Sequence, residues 1–124
     1  MRFLGLVPPL AVIATIHYLS SLEPAKLPLQ APIPYFDKWA HLGVYALLLS
    51  SFRLWRGRTA SPARWLPGAI AASLVVAVGD EWHQSLVPGR MPELLDIVAD
   101  ATGISAAAAL WAGWSVYSAH RTLR

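Results

Sequence analysis

Four long apolar stretches, parted by short polar or proline-rich segments, organise the chain. Leu4–Leu22 runs 19 residues without a formal charge, enough at about 1.5 Å per residue to cross most of a roughly 30 Å hydrocarbon core. Pro8 and Pro9 lie near its start, where a helix tolerates them. Glu23–Phe36 then holds four prolines in 14 residues and reads as a loop. A second span is expected over 37–55, a third over 65–86 and, after the loop V-P-G-R-M-P, a fourth over 93–119. The pattern predicts an all-α membrane protein: a single domain over 1–124, built as a compact bundle of four transmembrane helices. Arg2 before an apolar run also fits a signal peptide, but no small-x-small site follows, so a retained anchor is expected.

Composition and charge sharpen this picture. Hydrophobic residues make up 56% of the chain and charged ones only 14%, too few to coat a soluble fold, which argues against a soluble enzyme. The uncharged parts of spans two and three, Trp39–Phe52 and Leu66–Gly79, are 14 residues each, a length that also suits a buried soluble helix. Charge placement decides. With a cytoplasmic N-terminus and four crossings, Arg2, Arg53, Arg56, Arg58, Arg64, Arg121 and Arg124 fall inside, and Lys26, Lys38 and Arg90 fall outside, as the positive-inside rule requires. The acids Glu23, Asp37, Asp80, Glu81, Glu93, Asp96 and Asp100 all fall on the far side. Both termini are therefore expected in the cytoplasm. The Arg53–Arg64 segment is then a topological determinant with some attraction to anionic lipid. The net charge of +3 reports orientation, and nucleic acid is not an expected partner. The lack of cysteine removes disulfides, thiolate metal sites and Cys nucleophiles.

Polar groups gather at one depth. Asp37, His41 and Tyr45 are spaced four apart and line one face of span two. On span three both Asp80 and Glu81 can flank Gln84, with His83 on an adjoining face. Span four answers with Asp96 and Asp100, four apart. The short Val87–Pro92 connection makes spans three and four an antiparallel hairpin, which sets Glu81 and Gln84 opposite Asp96 and Asp100 with Arg90 at their mouth. Charges facing lipid are costly, so these residues should turn inward. One reading is a structural network in which Gln84 joins carboxylates and Arg90 neutralises one. Against it stands the excess of acid, which calls for a cation, shared protons or a basic ligand. Elsewhere, Ala101, Ser105, Ala109 and Gly113 form a stripe of small residues expected to bring span four close to a neighbour, and His17, Ser20 and Ser21 are expected to pack rather than act.

The segment G-D-E-W-H-Q-S-L-V-P-G-R-M-P-E-L-L-D-I-V-A-D-A-T-G at Gly79–Gly103 resembles the signature of VanZ-like membrane proteins. D-K-W-A-H-L-G-V-Y-A-L-L at Asp37–Leu48 is similar to that family's second-span motif, and H-Y-L-S-S at the end of span one fits its Ser-rich exit. The resemblance carries over to Asp37, His41, Tyr45, Glu81, Gln84, Arg90, Asp96 and Asp100, with Asp80 and His83 less constant in the family. Gly79 stands where Ser is frequent and Leu86 where Phe is frequent, departures that touch packing and not the polar set. The resemblance implies a compact four-helix membrane bundle, multi-pass in the bacterial cytoplasmic membrane. It also implies a cell-envelope context, since the family takes its name from a protein conferring low-level resistance to the glycopeptide teicoplanin. It supplies no reaction, so function has to be argued from the site.

Three classes of function stay open. In the first, the cluster binds an envelope ligand or glycopeptide without chemistry, through Asp37, Tyr45, His83, Gln84 and Arg90. In the second it is an active site on a lipid-linked envelope precursor: Glu81 or Asp80 is the acid or base, His41 shuttles a proton, Asp96 and Asp100 hold a divalent cation, and Arg90 grips a phosphate. In the third, shared protons serve a small transporter, which four spans without an inverted repeat support poorly unless they form an oligomer. Binding ranks first and transport last. Membrane lipids are partners in each case. No Ser, Thr or Cys stands beside a His–acid pair, so an enzyme here would have to activate water or a substrate group.

Overall fold

A computed structural model describes residues 4–27, 32–56 and 60–122, with side chains described as far as Ser118. Arg2, Arg58 and Arg124, and the side chain of Arg121, which entered the charge asymmetry, lie outside that set. Four helices, α1 (Val7–Ser20), α2 (Phe36–Arg56), α3 (Pro62–Gln84) and α4 (Leu94–Thr122), account for most of the fold, and there is no strand among the described residues.

Local chemistry sets the ends of these helices. A 3-10 turn, Leu4–Leu6, leads into α1, whose Pro8 and Pro9 occupy the first turn, where a missing N–H goes unmissed. Ser21 closes α1 by donating from both its backbone N–H and its hydroxyl to the His17 carbonyl, at 3.1 and 2.7 Å. The chain enters α2 through Tyr35, held at φ 57°, a left-handed conformation that bulky residues rarely adopt. Asp37 in the first turn of α2 and Arg53 and Arg56 in its last turn complement the helix dipole. Helix α3 begins three residues before the expected Trp65, because Pro62 is pre-organised for a first helical position. Between α3 and α4 the turn uses Gly89 at φ 78°, where a side chain would be strained.

Helix α2 packs most extensively on α4, and α1 packs on α2 and α3 with no close backbone approach to α4 among the described residues. The core runs through Tyr45, Leu48 and Leu49 of α2, Trp65, Leu66, Ala69 and Ala77 of α3, Ile104 and Ala107 of α4, and Ile16 of α1. At the α2–α4 crossing the backbones meet: a Cβ added to Gly103 would lie 2.1 Å from the Leu42 carbonyl oxygen. The row that allows this approach is Ala99, Gly103 and Ala107, all buried. This corrects the expectation for Ala101, Ser105, Ala109 and Gly113. Two residues along a helix is about 200° around it, so that row faces away; Ser105, Ala109 and Gly113 are exposed, and a Cβ at Gly113 would meet nothing within 4 Å.

Helices α3 and α4 are long and apolar enough to cross a membrane. Only 22% and 33% of their apolar windows are buried in the bundle, and Val75, Val78, Leu110 and Val116 point outward. That distribution is the reverse of a soluble core helix.

Candidate functional site

Polar side chains meet at the end of the bundle where α1 and α3 finish and α2 and α4 begin. They form two groups. On the α1–α3 side, the Ser20 hydroxyl donates to Asp80 Oδ1. The Gln84 amide donates to Asp80 Oδ2 at 2.9 Å and to Ser20 Oγ at 3.3 Å. Its other end accepts from Arg90 Nη1 at 3.1 Å. The remaining Arg90 donors go to backbone: Nε to the Leu22 carbonyl at 3.0 Å and Nη2 to the Leu19 carbonyl at 2.9 Å. The guanidinium thus sits at the C-terminal, negative end of α1, where it bonds the Leu19 carbonyl, which also accepts the Leu22 N–H, and the Leu22 carbonyl just beyond the helix. Arg90 makes no ion pair with a carboxylate among the described residues, and its planar fork is filled by Gln84 and the carbonyls of Leu19 and Leu22.

On the α2–α4 side the chemistry is ionic. Lys38 Nζ lies 2.7 Å from Asp37 Oδ2, 2.6 Å from Glu93 Oε2 and 2.5 Å from Asp96 Oδ1. One turn deeper, His41 Nδ1 donates to Asp100 Oδ1 at 2.8 Å, and its Nε2 stands 4.0 Å from Asp96 Oδ2. The Tyr45 ring stacks on His41 with centroids 6.4 Å apart. Glu81 reaches across from α3, where its Oε2 accepts the Glu93 backbone N–H at 3.2 Å. Three buried atoms of this layer have no partner: Glu81 Oε1, Asp100 Oδ2 and the Tyr45 hydroxyl. Asp100 and Tyr45 are each 0% exposed and Glu81 is 6% exposed. Buried polar atoms are nearly always paired, so three orphans in one layer leave it with unused hydrogen-bonding capacity.

The structure therefore brings together Asp37, His41, Asp96 and Asp100, with Tyr45 and Glu81 beside them, and gathers Asp80, Gln84 and Arg90 into the neighbouring knot. Gln84 takes only Asp80 of its two possible carboxylates, because Ser20 stands on that face while Glu81 turns to α4. His83 joins neither group. Its ring lies 4.3 Å from that of His17, centroid to centroid, and its Nε2 is 3.0 Å from Ser21 Oγ. Two participants are not singled out by the sequence, Lys38 and Glu93, whereas Ser20, expected to pack, bonds Asp80. Lys38 precedes His41 by three residues, a helical neighbour spacing that was available as a signal. Ligand atoms of Asp37, Glu93 and Asp96 lie within 4.8 Å of one another, a spacing that suits a metal ion. The Lys38 ammonium bonds all three, so a metal there would have to displace it. Asp96 belongs to that set; Asp100 is held by His41.

Fold and site together define an all-helical four-helix protein with a buried acidic layer at one end. The VanZ/LLP1 family model matches residues 3–116, which include every residue of the site, and the chain belongs to that family. Neither a curated protein nor a solved structure matches the chain.

Proposed function

We propose that the chain is a multi-pass protein of the bacterial cytoplasmic membrane, both termini inside, whose acidic layer lies at the outer face and binds a cationic group of a cell-envelope or glycopeptide ligand. The observation that carries this reading is the set of orphaned buried atoms, Glu81 Oε1, Asp100 Oδ2 and the Tyr45 hydroxyl. They lie in a layer where five carboxylates, those of Asp37, Glu81, Glu93, Asp96 and Asp100, face Lys38 and His41. A network built solely for packing would be better neutralised and better paired. An ammonium group or a divalent cation entering the layer would satisfy the free oxygens and offset the excess charge.

Membrane placement draws on family membership, on the two long apolar helices and on the separation in sequence of the acids from every arginine but Arg90. Single cysteines at Ala60 and Ile33, in a chain without native cysteine, should label from opposite sides of intact cells. Labelling of both from outside would discard the placement. Function is tested by Glu81→Gln and Asp100→Asn, which keep shape and remove one charge each. In cells relying on the variant chain, each should abolish its contribution to survival under teicoplanin while membrane insertion is unchanged. Wild-type survival with both would sink the ligand reading.

One observation favours a second reading, a hydrolase or transferase acting on a lipid-linked envelope substrate. Asp100 holds His41 through Nδ1, and Nε2, 4.0 Å from Asp96 and without a hydrogen bond among the described residues, is the ring nitrogen left to exchange a proton with a substrate. Glu81 would then serve as the second acid or base, and Asp80, bonded to Ser20 and Gln84, would position that helix face. Phosphate release from a lipid-linked pyrophosphate by the purified protein, lost in His41→Gln, would establish this reading over simple binding.

A further inference from the structure

A groove of about 340 Å³ opens between α2 and α3 at the end of the bundle away from the acidic layer. Phe52 and Trp55 form its α2 wall, and Trp65 closes it from α3. Its floor along α3 is made of Gly68, Ala69 and Ala72, residues too small to fill it. A Cβ built on Gly68 would meet nothing within 4 Å, so the space beside that residue is open. The lining is apolar except for two guanidinium groups, those of Arg56, which ends α2, and Arg64, in the first turn of α3.

These two arginines have no acid near them in the sequence, which holds none between Asp37 and Asp80. Neither makes an ion pair among the described residues. Arg56 lies over the Trp55 ring at 5.4 Å, which holds its charge at the groove mouth. An apolar channel ending in two unneutralised planar cations is complementary to a molecule with an alkyl chain and an anionic head. Guanidinium groups bind phosphate oxygens in pairs, and a tryptophan at the same level suits the lipid interface.

We propose that this groove binds one anionic phospholipid of the cytoplasmic leaflet, its phosphate between Arg56 and Arg64 and an acyl chain along Gly68, Ala69 and Ala72. The proposal rests on the membrane placement above and is independent of the acidic layer. It differs from general attraction of a basic loop to a charged surface, because it requires the groove as well as the charges.

The test uses the full chain in nanodiscs of equal phosphatidylglycerol and phosphatidylcholine, with retained lipid counted by native mass spectrometry after gentle release. The wild-type chain should keep one phosphatidylglycerol in preference to phosphatidylcholine. Arg56→Gln and Arg64→Gln should each lower that preference about fivefold, as expected for the loss of one basic contact to an anionic lipid. Gly68→Leu should abolish retention with both arginines intact. Leucine is also a better helix former than glycine, so an unchanged helical circular dichroism spectrum will show that the fold survives. Equal retention of the two lipids by the wild type overturns the proposal. So does full retention by Gly68→Leu, which would reduce the effect to surface charge, or a dimer of the chain that excludes lipid from the groove. A chain that fails to enter nanodiscs overturns the membrane placement itself, whereas insertion without selective retention overturns only the lipid site.

Discussion

The α1–α3 knot and the α2–α4 acid layer share one end of the bundle and many of the same residue types, yet differ in completeness. In the knot each side chain has a partner: Ser20 on Asp80, Asp80 on Gln84, Gln84 on Arg90, and Arg90 on the carbonyls of Leu19 and Leu22. In the layer, Lys38 and His41 engage one oxygen each of Asp37, Glu93, Asp96 and Asp100, and three buried atoms stay unpartnered. A closed network holds helices together. An open one has unused capacity for a ligand, an ion or a proton. Buried charge alone therefore does not separate the two groups; the missing partners do.

That contrast can be broken or sharpened by four substitutions, read first as thermal stability of the purified chain in detergent. Gly103→Ala should have the largest effect, a loss of about 3 kcal/mol, because the added Cβ meets the backbone of α2 and that contact cannot give without parting the helices. It should disrupt the acid layer and leave the knot intact; tolerance of alanine would remove the backbone contact as the determinant of α2–α4 spacing. Arg90→Lys keeps the charge but cannot reach Gln84 and both carbonyls together, so a loss of about 2 kcal/mol is expected. Unchanged melting would mean that the knot holds nothing together.

Glu81→Gln should go the other way, with stability unchanged or raised by up to about 1 kcal/mol, because it deletes a desolvated charge whose Oε1 has no partner. A large loss on melting would place Glu81 with the closed network. The smallest effect is expected for Tyr45→Phe, within about 0.5 kcal/mol of the parent, since the hydroxyl it removes bonds to nothing. If ligand binding nevertheless falls in that variant, the hydroxyl faces the ligand.

The four helices and their approximate limits were legible in the sequence because each apolar stretch is long and its charges lie at its ends. Side-chain spacing also found the face of α2 carrying His41 and Tyr45 and the face of α4 carrying Asp96 and Asp100. Three things were not legible. Arg90 bonds mainly to backbone carbonyls, and a carbonyl carries no residue-type signal. Lys38 enters the charge asymmetry as one of the bases expected on the outer side, which hides its place between three carboxylates of two helices. The close-approach row on α4 was misplaced because that helix, rich in alanine, offers small residues on opposite faces, and only the position of Leu42 on α2 selects Gly103.

The contact between Gly103 and Leu42 also has a mechanical consequence. With backbone against backbone it acts as a pivot, and the acid layer sits on the arm of α4 that runs from Gly103 back to Leu94. Asp96 is seven residues from the pivot, roughly 10 Å along the helix, so a tilt of about 10° would swing it by about 2 Å. That is enough to open the 2.5 Å link to Lys38, while Ala107, four residues to the other side, would shift by only about 1 Å. Small rocking of one helix would thus change access to the carboxylates without unpacking the centre of the bundle.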